Sequence, residues 1–327
     1  MNELFSRFWG EVSTRSTFVI TTHINPDGDA LGSEVGLAAY LASLGKQVII
    51  LNHDGLPGNF QFLQEIFPIT VFNAAEHEQA VRNADAVIVV DGNALHRIGA
   101  LENFVAASRA YKICIDHHPD RSEFADLFII DTSAAAAGEI IYQLLAAHDP
   151  SLVTAPVASG LYVAIMTDTG SFRFPMTDSL VHQITAELLR CGADPSGLFR
   201  KVFEEGPASR VKLLGRALSS LEIEHNGSVA ALTIRQQDFA ETGSVESDTD
   251  TMINHTLTIG GVRMGLLFVE LPSLVKIGFR SRGDLPVNEL AKCFGGNGHK
   301  NAAGARVYGR PLKELKADVF AQAKKFL

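Results

Sequence analysis

At 327 residues, 46% hydrophobic and 20% charged, the chain is neither a disordered tail nor a coiled coil, and it is long enough for two domains. Its 28 basic and 37 acidic residues leave a net charge of −9, spread unevenly. Positions 276–327 carry 11 basic and 4 acidic residues, so the rest holds −16. An acidic body argues against long duplex nucleic acid; the basic end admits a short anionic ligand, or is only a solvated helix face. Cys114, Cys191 and Cys293 stand far apart with no CxxC pair, which excludes a disulfide framework and a cysteine-type zinc site. A reducing, cytoplasmic location is expected. No apolar run nears the ~20 residues of a membrane helix. The opening MNELFSRFWGEV has acids and polar breaks that a secretory leader lacks.

In chain order, 17–22 (TFVITT) reads as a buried strand. A helix follows over 29–44, with Leu31, Val35, Ala38, Leu41, Ala42 and Leu44 on one side and Gly45 as its stop. Further strands are expected at 47–52, 86–91 and 112–116, and helices at 138–147, 155–168 and 179–189. Alternating strands and helices predict an α/β fold with a mainly parallel sheet flanked by helices. The texture changes after Gly192. A helical connector is expected over 198–220, then a hairpin over 221–234 with a type I′ turn at Asn226-Gly227. A second hairpin turns at Leu271-Pro272-Ser273, and helices near 286–293 and 311–326 complete a smaller mixed α/β domain. The expected division is 1–190, a helical linker 191–215, and 216–327.

Three expected strands run into acids or histidines: HINPDGD at 23–29, Asp91, and Asp116-His117-His118. In open α/β sheets ligands bind beyond the carboxyl ends of strands, so these groups should converge. Asp168 in TDTGSF is a further acid, with Asp178 a competitor for its place. Asp27, Asp29, Asp91, Asp116 and Asp168 crowded together would repel unless protonated or neutralised, and two divalent cations would neutralise them. Mixed oxygen and imidazole donors suit Mn²⁺, with Mg²⁺ or Co²⁺ possible. The plain alternative is a turn: Asn25-Pro26-Asp27-Gly28 is good turn chemistry, and Asp29 could cap the following helix. Adjacent histidines at a strand end are expected to face opposite ways. His53, His77 and His96 read as surface or loop residues.

In the second half, 295–304 reads GGNGHKNAAG. Glycines there could let backbone N–H groups form an anion nest, or make an ordinary turn. In VKIGFRSR (275–282), Val275, Ile277, Phe279 and Ser281 share one face; Lys276, Gly278, Arg280 and Arg282 share the other. Three cations and a glycine on one face suit a phosphate or base platform.

Together these motifs resemble the DHH phosphoesterases, named for an Asp-His-His triplet like Asp116-His117-His118. The resemblance spans nearly the whole chain through THINPDGDALGS, VVDGN, IDHHP, AAAAGEIIYQLL, YVAIMTDTGSFRF and GGNGHKNAAG. It is strongest to the NrnA-type oligoribonucleases (nanoRNases) that also act as pAp phosphatases. The resemblance implies a DHH catalytic domain followed by a DHH-associated substrate-binding domain, with the site in the cleft between them. It implies that His23 and Asp27 hold one metal, that Asp29 and His117 hold the other, and that Asp91 and Asp168 are shared. Asp91 and His118 would be catalytic, with His118 facing the substrate phosphate and Asp116 orienting a histidine. Ser133, Thr169 and Gly170 would line the site. Arg280, Ser281, Arg282, Gly296, Gly298 and His299 would bind substrate. Asn297 interrupts what is often a longer glycine run, and Ala137 replaces what is often a polar or sulfur-bearing residue; both bear on substrate preference.

The implied activity is hydrolysis of short single-stranded RNA to mononucleotides and of 3′-phosphoadenosine 5′-phosphate (pAp) to AMP. Rival readings are a phosphodiesterase for linear dinucleotides such as pApA, a processive single-strand DNA exonuclease, an inorganic pyrophosphatase and a non-catalytic nucleotide-binding protein. The presence of all six implied ligands weighs against the last. A homodimer is a further expectation, and no membrane association is expected.

Overall fold

A computed structural model describes residues 1–327 except Asp120 and Asp250. It divides into two compact units, Met1–Glu205 and Gly206–Leu327. In the first unit the elements run α1 (Asn2–Ser13), β1 (Thr17–Thr21), α2 (Gly28–Ser43), β2 (Gln47–Asn52), β3 (Ile69–Val71), α3 (Ala74–Asn83), β4 (Ala86–Val90), α4 (Glu102–Ala107), β5 (Tyr111–Asp116), β6 (Leu127–Ile130), α5 (Ala137–Ala146), α6 (Ala155–Asp168), α7 (Ser179–Arg190) and α8 (Pro195–Phe199).

The six strands form an all-parallel sheet in the order β3-β2-β1-β4-β5-β6. Every residue of β4, AVIVV, is buried, because helices cover both faces. Alternation along the strands sorts the core into two layers. Phe18, Ile20, Ile88, Val90, Ile113 and Ile115 pack on one side, and Val19, Val87 and Val89 on the other. Strand order reverses between β1 and β4, the switch point of a doubly wound sheet, where ligands collect beyond the strand ends.

On the first of these layers α2 and α6 approach closely. A Cβ at Gly32 would lie 2.4 Å from the Gly160 carbonyl oxygen, so only glycine lets these backbones meet. The unforeseen α1 docks through buried Phe5, Phe8 and Val12. Trp9 Nε1 donates to the Leu144 carbonyl at 3.0 Å, and its ring stacks on His148 at 4.0 Å.

The second unit contains α9 (Ala208–Ser219), β7 (Glu222–Glu224), β8 (Val229–Ile234), α10 (Gln236–Thr242), β9 (Met264–Glu270), β10 (Leu274–Ser281), α11 (Val287–Lys292), β11 (Asn297–His299), β12 (Ala302–Tyr308) and α12 (Leu312–Ala323). Its mixed sheet has the order β11-β12-β10-β9-β8-β7, with β8 and β9 parallel and the other pairs antiparallel. The architecture is thus a parallel α/β unit followed by a smaller mixed one.

Two local expectations need correction. The helix expected over 198–220 is broken: α8 ends at Phe199, a π-turn spans Arg200–Glu204, and α9 starts only after Gly206-Pro207. Proline has no N–H to continue a helical ladder, and it stands here just outside α9. The β7–β8 link is not a two-residue type I′ turn. His225, Asn226 and Gly227 are all left-handed, with φ of 51°, 56° and 88°.

Candidate metal centre

Three adjacent strands, β1, β4 and β5, deliver their carboxyl ends to one edge of the sheet. His23 follows β1, Asp91 follows β4, and Asp116 ends β5 with His117 and His118 beyond it. Asp27 and Asp29 open α2, and Asp168 closes α6. His23 Nε2 lies 3.3 Å from Asp91 Oδ2. His117 Nε2 lies 3.7 Å from Asp29, 3.6 Å from Asp91 and 3.6 Å from Asp168. Among the described residues of the first unit, three groups therefore present donor atoms within 4.8 Å of one another: His23, Asp27 and Asp91; Asp29, His117 and Asp168; and Asp91, Asp116, His117 and His118.

The ring tautomers suit this role. His23 Nδ1 lies 2.8 Å from the Ile24 carbonyl, and His117 Nδ1 lies 3.2 Å from the Ala134 carbonyl. A carbonyl only accepts, so each Nδ1 carries hydrogen and each Nε2 keeps a lone pair toward the acids.

Asp27, not Asp29, caps α2, accepting from the amides of Asp29 and Ala30 at 3.0 and 3.1 Å. The alternative in which Asp29 caps its own helix does not hold. Asp29 instead takes the amides of Ala137 and Gly138 at 2.7 and 3.0 Å, neutralising the N-terminus of α5. Asp178 caps α7 and does not compete with Asp168.

The two histidines do not face opposite ways. Asp116 Oδ1 accepts from the amides of His117 and His118 at 2.7 and 3.1 Å, turning the chain as soon as the strand ends. Both rings then converge, 4.8 Å apart. His118 Nδ1 lies 2.7 Å from the same Asp116 oxygen and 3.4 Å from Asp91.

Charge at the site is unbalanced. Burial alone would raise Asp91, but the imidazoles of His118 and His23 hold it well below the usual carboxylate range. Burial, reinforced by Asp91, Asp168 and Asp27, pushes Asp29 well above it. Burial opposes a charge on His118, yet Asp116 and Asp91 prevail and push it up to about 10. Among the described residues, Asp91 Oδ1 and Asp116 Oδ2 are buried acceptors with no hydrogen-bond partner. Unfilled carboxylate oxygens beside imidazole lone pairs fit hard or borderline divalent cations.

Asp91 itself adopts φ 51°, a left-handed conformation that aspartate tolerates better than most residues. Thr169 gives its hydroxyl to the Ile165 carbonyl, Ser133 gives its own to Asp131, and Gly170 has φ 58°. His53 and His77 accept the amides of Ala100 and Asn73 and belong to none of these groups.

In the second unit, β10 alternates as expected, with Val275, Ile277, Phe279 and Ser281 buried. On its other face Lys276 pairs with Arg306, Gly278 with Gly304, and Arg280 with Ala302 across to β12. His299 is exposed on β11 opposite Ala302. Ser281 is turned inward and gives its hydroxyl to the Leu285 carbonyl at 2.6 Å, so its place is explained by the fold. Arg282 donates to the Leu257 carbonyl. The motif glycines also have a local cause. A Cβ at Gly298, where φ is 141°, would lie 2.5 Å from the Ala302 carbonyl oxygen, and one at Gly296 would lie 2.2 Å from that of Gly304.

The profile of the DHH family, N-terminal domain, matches residues 17–165, the segment that carries His23 to His118. The chain is 30% identical over 298 residues to the bifunctional oligoribonuclease and PAP phosphatase NrnA of Thermus thermophilus, covering 90% of this chain and 85% of that one. The chain belongs to the DHH family of phosphoesterases. The NrnA of Bacillus subtilis is 29% identical, covering 91% of both chains. An exopolyphosphatase-related protein from Bacteroides fragilis superposes with a TM-score of 0.93 at 29% identity, covering 99% of this chain and 96% of that one. DHH phosphoesterases bind divalent metals, in keeping with the donor set assembled here.

Sequence reasoning missed the support beneath the DHH site. Glu34 is fully buried on α2 and accepts from Asn52 Nδ2 at 2.8 Å. Its signal was present: Glu34 stands three residues after Leu31 and four before Ala38, an acid inside the apolar stripe.

Proposed function

We propose that this chain is a metal-dependent hydrolase that cuts short RNA oligonucleotides to mononucleotides and converts pAp to AMP. The observation that carries the proposal is the pair of donor groups meeting at Asp91 on the switch-point edge, in a chain whose relatives are named for both activities. In this reading His23, Asp27 and Asp91 would hold one divalent ion and Asp29, His117, Asp91 and Asp168 would hold the other, with Mn²⁺ the best match to mixed oxygen and imidazole donors. When bound, such ions supply charge stabilisation at the phosphoryl oxygens and ease the ionisation of water.

The chain's own residues do the rest. Asp116 holds Nδ1 of His118 at 2.7 Å, so Nε2 is aimed and carries a proton when the ring is charged. His118 binds the phosphate and hands that proton to the leaving oxygen as the P–O bond breaks. Asp91, held ionised between His23 and His118, orients the attacking water in line with that bond. The β10–β12 face grips the nucleotide: Arg280 and Arg282 offer guanidinium groups to base and phosphate, and His299 with the Gly296 and Gly298 backbone offers further donors. Ser281 faces inward and supports this face through its bond to the Leu285 carbonyl.

A side-by-side assay tests the proposal. It uses a 5′-labelled RNA dinucleotide and five-mer, pApA, pAp and pyrophosphate, each with Mn²⁺ and with chelator. Mn²⁺-dependent release of mononucleotides from RNA, and AMP from pAp, is the expected result. Turnover confined to pApA or pyrophosphate would replace this substrate class with a rival one. No turnover by folded protein would favour a nucleotide-binding role.

A further inference from the structure

We propose that Glu34 is a positioning residue of the metal centre, holding the ends of β1 and β4 together through Asn52 and Thr22. The inference rests on the metal-dependent reading above. The β1–β4 ladder stops at the Thr21–Val89 pair, two residues short of His23 and Asp91. A side-chain relay continues where the ladder ends. Glu34 Oε2 accepts from Asn52 Nδ2 at 2.8 Å. Asn52 Oδ1 accepts from the Thr22 amide at 3.3 Å and from Thr21 Oγ1 at 3.5 Å. Thr22 Oγ1 donates to the Val90 carbonyl at 2.7 Å. Thr22 immediately precedes His23, and Val90 immediately precedes Asp91.

The relay has one polarity. A backbone N–H can only donate, so the Asn52 amide oxygen faces Thr22 and its NH₂ faces Glu34. Glu34, Asn52 and Thr22 are each at most 1% exposed. Glu34 Oε1 is buried with no hydrogen-bond partner among the described residues. Burial pushes this carboxyl up to about 8, so it is the neutral acid near pH 7. A polar relay in an apolar layer adds little stability over a hydrocarbon of equal volume. What it does supply is register at two strand ends that carry candidate ligands. Partners that orient ligands in this way typically change metal affinity by about 10–100-fold.

The test is Mn²⁺ titration of the metal-free protein, read by the electron paramagnetic resonance of free Mn²⁺. Wild type, Glu34→Gln, Glu34→Leu and Thr22→Val are compared, with circular dichroism to verify folding. Wild type should bind two ions. Glu34→Gln keeps a neutral acceptor and should stay within about twofold of wild type, whereas Glu34→Leu and Thr22→Val should weaken one ion by about 10–100-fold. Thr22→Val is isosteric and decides alone if the leucine variant does not fold. Wild-type affinity in the leucine and valine variants, or equal loss in the glutamine variant, would overturn the inference. Failure of wild type to bind Mn²⁺ would overturn the metal reading and this inference with it.

Discussion

His118 and Glu34 both hold a proton near pH 7, for different reasons: neighbouring acids overcome burial at His118, and burial itself acts at Glu34. His118 is flanked by Asp116 at 2.7 Å and Asp91 at 3.4 Å, which keep its ring charged despite burial. If it delivers a proton and is not a ligand, His118→Gln should lower kcat by about 10²–10³-fold while Mn²⁺ affinity changes little. Parallel kinetics and Mn²⁺ titration check this; equal loss in both would make His118 a ligand. Glu34 has no such partner, and burial moves it from 4.5 up to about 8. It therefore holds its proton more tightly folded than unfolded. That stabilisation is complete below about pH 4.5 and is lost as pH rises through about 8. The Asn52 hydrogen bond and the His23 ring act to lower its pKa, and Asp91 acts to raise it. Glu34→Gln removes the titration, so the variant should gain on wild type between about pH 5 and about pH 9 in denaturant unfolding. A constant difference across that interval would contradict the assignment.

Among the elements, those with continuous apolar runs or a clear helical stripe were legible in advance. AVIVV is buried on both faces and reads as a central strand on sight. Three strand ends bearing acids and histidines pointed to the site before any topology was known. Other features depend on partners far away in sequence. β11 is three residues long and exposed throughout, so it has no alternation to betray a strand. The convergence of His117 and His118 depends on how Asp116 turns the chain, and strand alternation alone misplaced it. The α2–α6 contact was invisible because glycines leave no hydrophobic signal. Gly32→Ala should cost about 1–3 kcal/mol, since its Cβ would strike the Gly160 carbonyl oxygen at 2.4 Å. Gly10→Ala on α1 meets nothing within 4 Å and should stabilise by up to about 1 kcal/mol. Thermal unfolding of both variants checks the pair; equal effects would refute the close-approach argument.

Across the whole molecule, charge sets the terms. The chain carries −9 overall, while its last 52 positions carry an excess of cations and hold the β10–β12 face. Among the described residues no helix is long and apolar enough to cross a membrane. In the first unit, acids brought together at the sheet edge repel until cations bind. Mn²⁺ at about a hundredfold above its dissociation constant should therefore add roughly 2.7 kcal/mol per site to the folded state, and chelator should remove it. Calorimetry with and without Mn²⁺ reads this as a shift in melting temperature, and no shift would argue against a metal centre.

The most direct test of that centre joins binding to turnover. Metal-free wild type and Asp91→Asn are titrated with Mn²⁺ while cleavage of a 5′-labelled RNA trimer is followed in the same samples. Asparagine tolerates the left-handed φ of 51° at this position, so the backbone is spared. The account predicts that wild-type cleavage rises with two bound equivalents, and that Asp91→Asn loses about 10³-fold or more in kcat together with tight binding. Cleavage by the metal-free enzyme, or wild-type turnover in Asp91→Asn, would contradict it.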